Sequence, residues 1–223
     1  MALSRSIQYS ATCVATLLGL AFGGLQAAEG HVEGQAEKPY EYQDLRIGWV
    51  SAPSPSIYSQ TKGGGNGYHY DGGESRGSRF SVTYLCGKAL AESKVGTVVG
   101  GEFTLGSYRV GDQSTTTILI QPMVDVYYGW QYGIVDTPAL RGWIEMLPYL
   151  GVGGSVVDLD QKKRLGYAIE TGVRFGAYLT ERAWEFGVTS SWVLGTSAVK
   201  GDTNELTLNT NGFTFGGEIG YRF

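Results

Sequence analysis

Hydrophobic and polar residues alternate one by one along most of the chain after residue 43. In the last segment the apolar residues share one side, whereas Thr214, Glu218 and Arg222 share the other. A period of two is typical of a β-strand with one apolar face and one polar face. Eight such segments each approach the roughly 9–11 residues that a membrane strand needs. They are Asp44–Ala52, Ser78–Leu90, Val95–Tyr108, Thr115–Trp130, Gly142–Ser155, Leu165–Leu179, Ala183–Leu194 and Gly212–Phe223.

This alternation predicts an all-β protein, an eight-stranded antiparallel up-and-down transmembrane β-barrel over residues 44–223. Apolar residues would face lipid and polar residues the lumen. The long links Pro53–Gly77 and Gly195–Asn211 are predicted to be extracellular, and the short link Ala91–Lys94 periplasmic. A count of ten strands stays open, if Ser56–Thr61 or Glu205–Thr210 pair as extra hairpin arms.

The N-terminus predicts export. Arg5 precedes an apolar stretch that ends in small residues, which is the pattern of a cleaved signal peptide over residues 1–27. The polar segment 28–43 is interpreted as a short periplasmic lead-in. Removing Arg5 leaves 16 of the 17 basic residues against 21 acids, a net charge of −5 that does not favour nucleic acid. After residue 28, no apolar run has the length of a transmembrane helix.

The chain ends on an aromatic residue, with apolar residues at alternate positions before it. Phe215, Ile219, Tyr221 and Phe223 fit this pattern, whereas Gly217 departs from it. The ending resembles the assembly signal of bacterial outer-membrane β-barrel proteins. As a whole, the chain resembles small barrels of the opacity-protein and outer-membrane-protein-A type.

That resemblance implies an integral protein of a Gram-negative-type outer membrane, inserted by the outer-membrane insertion machinery. Its expected partners are outer-membrane lipids, lipopolysaccharide and an extracellular ligand of unknown chemistry. Its expected role is structural or surface interaction, with recognition by the long first and fourth extracellular loops. No enzymatic activity and no cofactor are implied.

Parity places a set of charged residues inside the barrel. An eight-stranded barrel is only wide enough for its own side chains, so these residues are expected to form a hydrogen-bonded polar plug. Arg174 has Glu170 four residues away on the same face, and Arg222 has Glu218 likewise. The alternative is a path for protons or cations built from the excess of acids. The lumen set is Arg79, Glu102, Gln121, Asp125, Glu145, Glu170, Arg174, Glu185, Glu218 and Arg222.

Three features fit the barrel less well. Pro122 and Pro148 lie inside strands, where proline cannot donate a ladder hydrogen bond, so bulges or local wet spots are expected there. Trp143 points inward by parity. The link Gln131–Arg141 is long for a periplasmic turn.

The candidate chemistry in the sequence is weak. His69 lies in a glycine-rich loop near Asp71 and Ser75, which are the residue types of an acyl-transfer site. A catalytic triad needs a held geometry, which a glycine-rich loop does not provide. We therefore expect no catalytic, cofactor or metal site. Cys86 is expected by parity to face lipid. Two alternatives stay open: an outer-membrane lipid-modifying enzyme that acts by acyl transfer or deacylation, and a soluble periplasmic barrel that carries a lipid.

Overall fold

The structure is a computed structural model. It describes residues 40–52, 56–61, 68–71, 77–89, 94–110, 117–136, 140–159, 162–201 and 204–223. The predicted signal peptide and the lead-in as far as residue 39 lie outside these ranges.

Every element of the described chain is a β-strand, and all strand pairings are antiparallel. The alternating pattern accounts for this, because each strand can bury one face and expose the other. The strands are β1 (Tyr40–Ala52), β2 (Ser56–Thr61), β3 (Tyr68–Asp71), β4 (Gly77–Ala89), β5 (Val95–Val110), β6 (Thr117–Asp136), β7 (Leu140–Leu159), β8 (Lys162–Glu181), β9 (Trp184–Lys200), β10 (Asn204–Asn209) and β11 (Gly212–Arg222).

Eight of these strands close into a ring. Neighbours pair in the order β1, β4, β5, β6, β7, β8, β9 and β11. The last strand then pairs with the first, for example Ile47 with Ile219 and Leu45 with Tyr221. The predicted eight-stranded antiparallel up-and-down barrel is therefore confirmed. A closed ring leaves no free edge in the wall, which a membrane strand requires.

The three remaining strands extend the sheet at the end of the barrel where β1 finishes and β4 begins. There β9 runs beyond the ring and pairs with β10, which pairs with β2, which in turn pairs with β3. The two segments that left a count of ten strands open are therefore strands, but they do not belong to the ring.

Several strand ends differ from the predicted ones. The first strand begins at Tyr40 rather than Asp44, so the end of the predicted lead-in is strand. The long link Gln131–Arg141 is mostly strand, because β6 runs to Asp136 and β7 begins at Leu140. Between β8 and β9 the turn is tight, and Arg182 adopts a positive φ of 59°.

The expected bulges at the prolines are wrong. The register of β6 on β7 is the same before and after both residues, since Ile120 pairs with Val156 and Trp130 with Met146. The register shift on this ladder lies instead between Gly133 and Val135, near the end of the barrel where β1 begins, which is the predicted periplasmic end. The β6–β7 ladder is nevertheless interrupted beside each proline, since Gln121, Pro122, Tyr128 and Gly129 have no partner in it. On its other side, Pro122 pairs with Leu105. A proline can occupy a ladder without a bulge when the ladder hydrogen bonds on either side hold the register.

Candidate functional site

The lumen is the most elaborate polar region of the described chain. Each of the eight ring strands contributes at least one charged residue whose side chain points inward and is buried. The predicted lumen residues Arg79, Glu102, Gln121, Asp125, Glu145, Glu170, Arg174, Glu185, Glu218 and Arg222 are all at most 9% exposed. Asp44 and Arg46 of β1, which the sequence analysis did not name, lie among them.

Arg46 is the centre of the predicted periplasmic half of the lumen, the half nearest the start of β1. Its Nη1 donates to both carboxylate oxygens of Glu145, at 2.8 and 3.0 Å. Its Nε donates to Glu185 Oε2 at 2.9 Å, and its Nη2 to Asp44 Oδ2 at 3.0 Å. Three carboxylates from three strands thus surround one guanidinium, which satisfies the charge where no water is available.

Arg222, the last residue of β11, closes the periplasmic end. Its Nε and Nη2 donate to the two oxygens of Asp44, at 2.7 and 2.8 Å. The guanidinium also lies 3.9 Å from the ring centroids of Tyr42 and Trp143. Trp143 stacks on Tyr178, with the ring centroids 5.7 Å apart. A planar cation between aromatic faces is a favourable arrangement, and it accounts for a tryptophan inside the barrel.

Arg174 forms the middle layer of the network. Its Nη1 donates to Glu102 Oε2 at 2.5 Å, and its Nη2 donates to Glu218 and to the Tyr178 hydroxyl. The Tyr178 hydroxyl donates in turn to Glu218 Oε2 at 2.7 Å. Thr83 donates to Glu102 from the other side. This layer therefore links strands on opposite walls of the lumen.

Arg79 lies in the predicted extracellular half of the lumen and has a single carboxylate partner, Glu170. Its two terminal nitrogens donate to the two oxygens of Glu170, at 2.7 and 2.6 Å, in a bidentate pair. Its Nε donates to the Tyr108 hydroxyl at 2.8 Å. The planar fork of arginine suits this geometry, which fixes the position of both residues.

Asp125 differs from the other lumen carboxylates. It is 1% exposed, and its Oδ1 has no hydrogen-bond partner among the described residues. The carboxylate occupies the space above Gly151, where a Cβ would lie 1.9 Å from Oδ1. Asp125 and Thr104 both line a cavity of about 20 Å³. A cavity of that size holds about one water, since roughly 10–15 Å³ is enough for one.

Apolar side chains close the extracellular end of the lumen. Leu206 and Leu208 of β10 pack there against residues that point inward from the barrel wall. The wall residues of this extracellular apolar cluster are Tyr108, Leu119, Val157 and Val199. A second apolar cluster lines one side of the lumen and consists of Tyr42, Leu85, Val98, Tyr127, Leu147 and Tyr149.

The two pairs suggested by sequence spacing do not form. Glu170 binds Arg79 rather than Arg174, and Arg222 binds Asp44 rather than Glu218. Residues four apart on a strand are separated by about 13 Å, at roughly 3.3 Å per residue. Partners across the lumen or on the next strand are closer.

The parity that placed the other lumen residues also places Asp44 and Arg46 inside, so the sequence did contain a signal for them. The buried tyrosines Tyr108, Tyr127, Tyr149 and Tyr178 carry the same signal. Their size and mixed character make the inward side harder to assign from the sequence.

The outer surface of the barrel is apolar. Ile47 and Leu150 are 54% and 59% exposed, although they lie in the middle of strands. The residues of the terminal pattern, Phe215, Ile219, Tyr221 and Phe223, are also exposed. Aromatic residues cluster at the periplasmic rim, where Trp184, Tyr221 and Phe223 make edge-to-face contacts with centroids 5.5 and 5.1 Å apart.

The residues considered for catalysis or metal binding form no recognisable site within the described part of the chain. The backbones of His69 and Asp71 lie in β3, with His69 opposite Tyr58. Ser75 lies outside the described residues. Cys86 is partly exposed and unpaired. Within the described ranges, no group of three or more His, Cys, Asp and Glu side chains is arranged to hold a metal. The same ranges contain no helix with the length and hydropathy of a membrane span.

No protein-family model matches the chain, and no curated protein is similar to it. Solved structures of small barrels are similar in shape. The chain is similar to the outer membrane protein OprG from Pseudomonas aeruginosa, with a TM-score of 0.45, 11% identity, and coverage of 85% of this chain and 98% of OprG.

Two further structures have the same kind of similarity. For Ail, the attachment invasion locus protein of Yersinia pestis, in complex with the heparin analogue sucrose octasulfate, the TM-score is 0.37 and the identity 13%, over 82% of this chain and 99% of Ail. For the neisserial surface protein A, the values are 0.36 and 12%, over 84% of this chain and all of that protein. At these values the fold and the role of the chain must be argued from its own residues.

Proposed function

We propose that this chain is a non-enzymatic integral protein of a bacterial outer membrane. Its interior is filled by its own side chains, and its role is structural or one of surface interaction through extracellular loops. The observation that carries the proposal is the distribution of polarity. Large apolar side chains such as Trp49, Tyr128 and Phe213 are 61–73% exposed on the outside, whereas the charged residues of the lumen set are buried inside.

That distribution supports a bilayer as the solvent of the outer wall. In water, such a surface would be a large apolar patch of the kind that drives aggregation. A soluble lipid carrier needs the opposite arrangement, an apolar interior and a polar exterior. The charged interior therefore argues against the carrier alternative.

The lumen geometry supports a closed interior. Arg46, Arg174 and Arg222 tie the periplasmic half together, and the extracellular apolar cluster covers the other end. The cavity beside Asp125, at about 20 Å³, has the size of a water site rather than of a channel. The interior thus acts as a structural plug.

Two features support a role at the cell surface. Strands β2, β3 and β10 build a small sheet beyond the ring, so part of the first and fourth links is ordered backbone rather than a short turn. The terminal aromatic pattern ending in Phe223 supports recognition by the outer-membrane insertion machinery. Contact with outer-membrane lipids and lipopolysaccharide follows from the apolar wall.

Two measurements test the proposal. Membrane fractionation with a carbonate wash should leave the full-length protein in the outer-membrane fraction, and release by carbonate would refute the membrane assignment. In planar bilayers the purified protein should give no steady current. A large and stable conductance would refute the plug.

A further inference from the structure

The outer wall carries an apolar groove of about 540 Å³. Its centre contains two small outward-facing residues, Ala177 of β8 and Ser190 of β9. Larger neighbours flank them, since Ser190 pairs with Phe175 on one side and with Phe215 on the other. The groove is therefore a recess between bulky side chains on a surface that is otherwise convex.

The strand register fixes the path of the groove. One row of paired residues forms its lower side: Val95, Tyr132, Ile144, Ala177 and Val188. Val95 is the first residue of β5 and lies at the periplasmic rim. Because the strands of such barrels are tilted, a row perpendicular to them climbs the wall. The groove therefore begins at the periplasmic rim and rises towards the middle of the membrane.

The length of this path fits one lipid leaflet. From β5 to β11 the row crosses six adjacent strands, and a spacing of about 4.8 Å gives a path of roughly 24 Å. With a tilt of about 35–45°, this path rises by roughly 15 Å. One leaflet is half of a hydrocarbon core about 30 Å thick, so its thickness of about 15 Å equals this rise.

The rim end of the groove carries a positive charge. Lys94 is exposed and directly precedes Val95. Its carbonyl oxygen accepts a hydrogen bond of 2.7 Å from the Gly133 amide, next to Tyr132 of the groove. Lys94 forms no ion pair with any residue in the described ranges. Trp130 and Tyr132, which also line the groove, are the residue types that prefer the level of the lipid headgroups.

We propose that this groove binds one acyl chain of an anionic phospholipid of the periplasmic leaflet, and that Lys94 binds its phosphate. The inference rests on the outer-membrane location proposed above. The charge at one end and the largely apolar recess beyond it match the two parts of such a lipid. Ala177 and Ser190 provide the space, because any larger side chain at these positions would fill the recess.

Native mass spectrometry of the detergent-purified barrel with added phosphatidylglycerol tests this proposal. The wild type should retain one lipid. Ala177→Trp and Ser190→Phe should each abolish that retention, whereas Val99→Trp, which fills a lipid-facing position on β5 outside the groove, should not. Each variant is first checked for folding by its shift in gel mobility on heating.

Lys94→Ala should lower lipid occupancy about fivefold, the effect of a basic side chain worth about 1 kcal/mol at an anionic membrane surface. Lys88→Ala is the matched control, because Lys88 is exposed on the same rim but pairs with Glu41 at 3.5 Å. It should leave occupancy unchanged.

Equal retention by the wild type and Ala177→Trp would overturn the groove site, as would equal loss in the Val99→Trp control. Fractionation of the same variants separates this result from the proposed function. A barrel that stays in the outer membrane while both groove variants keep their lipid refutes only the groove.

Discussion

The two halves of the lumen are filled by different kinds of side chain. In the predicted periplasmic half, Arg46, Arg174 and Arg222 share five carboxylates, although Arg174 Nε and Glu185 Oε1 have no hydrogen-bond partner among the described residues. In the extracellular half, Arg79 has one carboxylate partner and the remaining space holds leucines and valines. Gln121 Oε1, and Asp125 Oδ1 at the level of Glu102, have no hydrogen-bond partner among the described residues.

The difference shows in which half of the lumen the side chains are held in one arrangement and in which half they can rearrange. A network in which several guanidinium groups share carboxylates has few good arrangements, because leaving a member unpaired is costly. Apolar packing with a few unpaired oxygens tolerates rearrangement more easily. The rigid half lies where the chain ends meet and close the barrel, and the adaptable half lies beneath the loops.

The strongest test of this contrast is Arg46→Met. The variant leaves Asp44, Glu145 and Glu185 without their shared cation, so the free energy of unfolding should fall by about 3–5 kcal/mol. Urea unfolding in lipid vesicles, followed by tryptophan fluorescence, measures this change. Lys88→Met is the control, and an exposed pair of that kind should contribute less than about 1 kcal/mol. A loss as small as that of the control would contradict the central role of Arg46.

Leu208→Ala tests the extracellular apolar cluster. Leu208 is fully buried, and its truncation should lower the free energy of unfolding by about 2–3 kcal/mol, at the lower end of the range for leucine because β10 lies outside the ring and can move to fill the cavity. The same unfolding assay applies. Leu165→Ala, at a position 67% exposed on the outer wall, should change stability by less than about 1 kcal/mol. Equal effects would mean that the cluster does not seal the lumen.

A pair of amide substitutions compares carboxylates with and without partners. Glu218→Gln weakens the bonds from Arg174 and Tyr178, and should destabilise the barrel by about 1.5–3 kcal/mol. Asp125→Asn should change stability by less than about 1 kcal/mol or raise it, because a buried charge without a full set of partners is removed. The free energies of unfolding of both variants, measured under identical conditions, test this comparison. A larger loss for Asp125→Asn would show that this carboxylate has an essential partner.

His69→Ala should have the smallest effect. If the extracellular part of the chain serves for display rather than catalysis, the acylation pattern of outer-leaflet lipid should not change. Mass spectrometry of lipid extracted from cells with either version measures this pattern. A modified lipid species that disappears with His69 would favour the lipid-modifying alternative.

The sequence predicted the fold well because alternation is a local property. A residue at Ile47 or Phe215 reveals its side of the sheet through its immediate neighbours alone. Strand ends were less certain, and the long link after Trp130 was wrongly taken as a turn, because polar and apolar residues alternate less regularly near the rims. The tendency of Pro122 to break a strand was overestimated, since the neighbouring ladders hold it in place.

The partners of the lumen charges could not be predicted. Spacing along one strand suggested Glu170 for Arg174, but the bond that forms joins Glu170 to Arg79 on another strand. Register and shear decide which side chains meet across a lumen, and neither is written in the spacing of a single strand. Parity placed Arg46 inside the barrel, but its partners Glu145 and Glu185 lie on two other strands and could not be inferred from spacing.

The sequence by itself determined the number of wall strands, the side to which each residue points and the apolar character of the surface. All of these follow from a period of two along the backbone. Only the tertiary structure decided which charges neutralise each other, where the extra strands pack and where the outer wall forms a recess. These depend on distances between residues far apart in the chain, which exist only once the ring has closed.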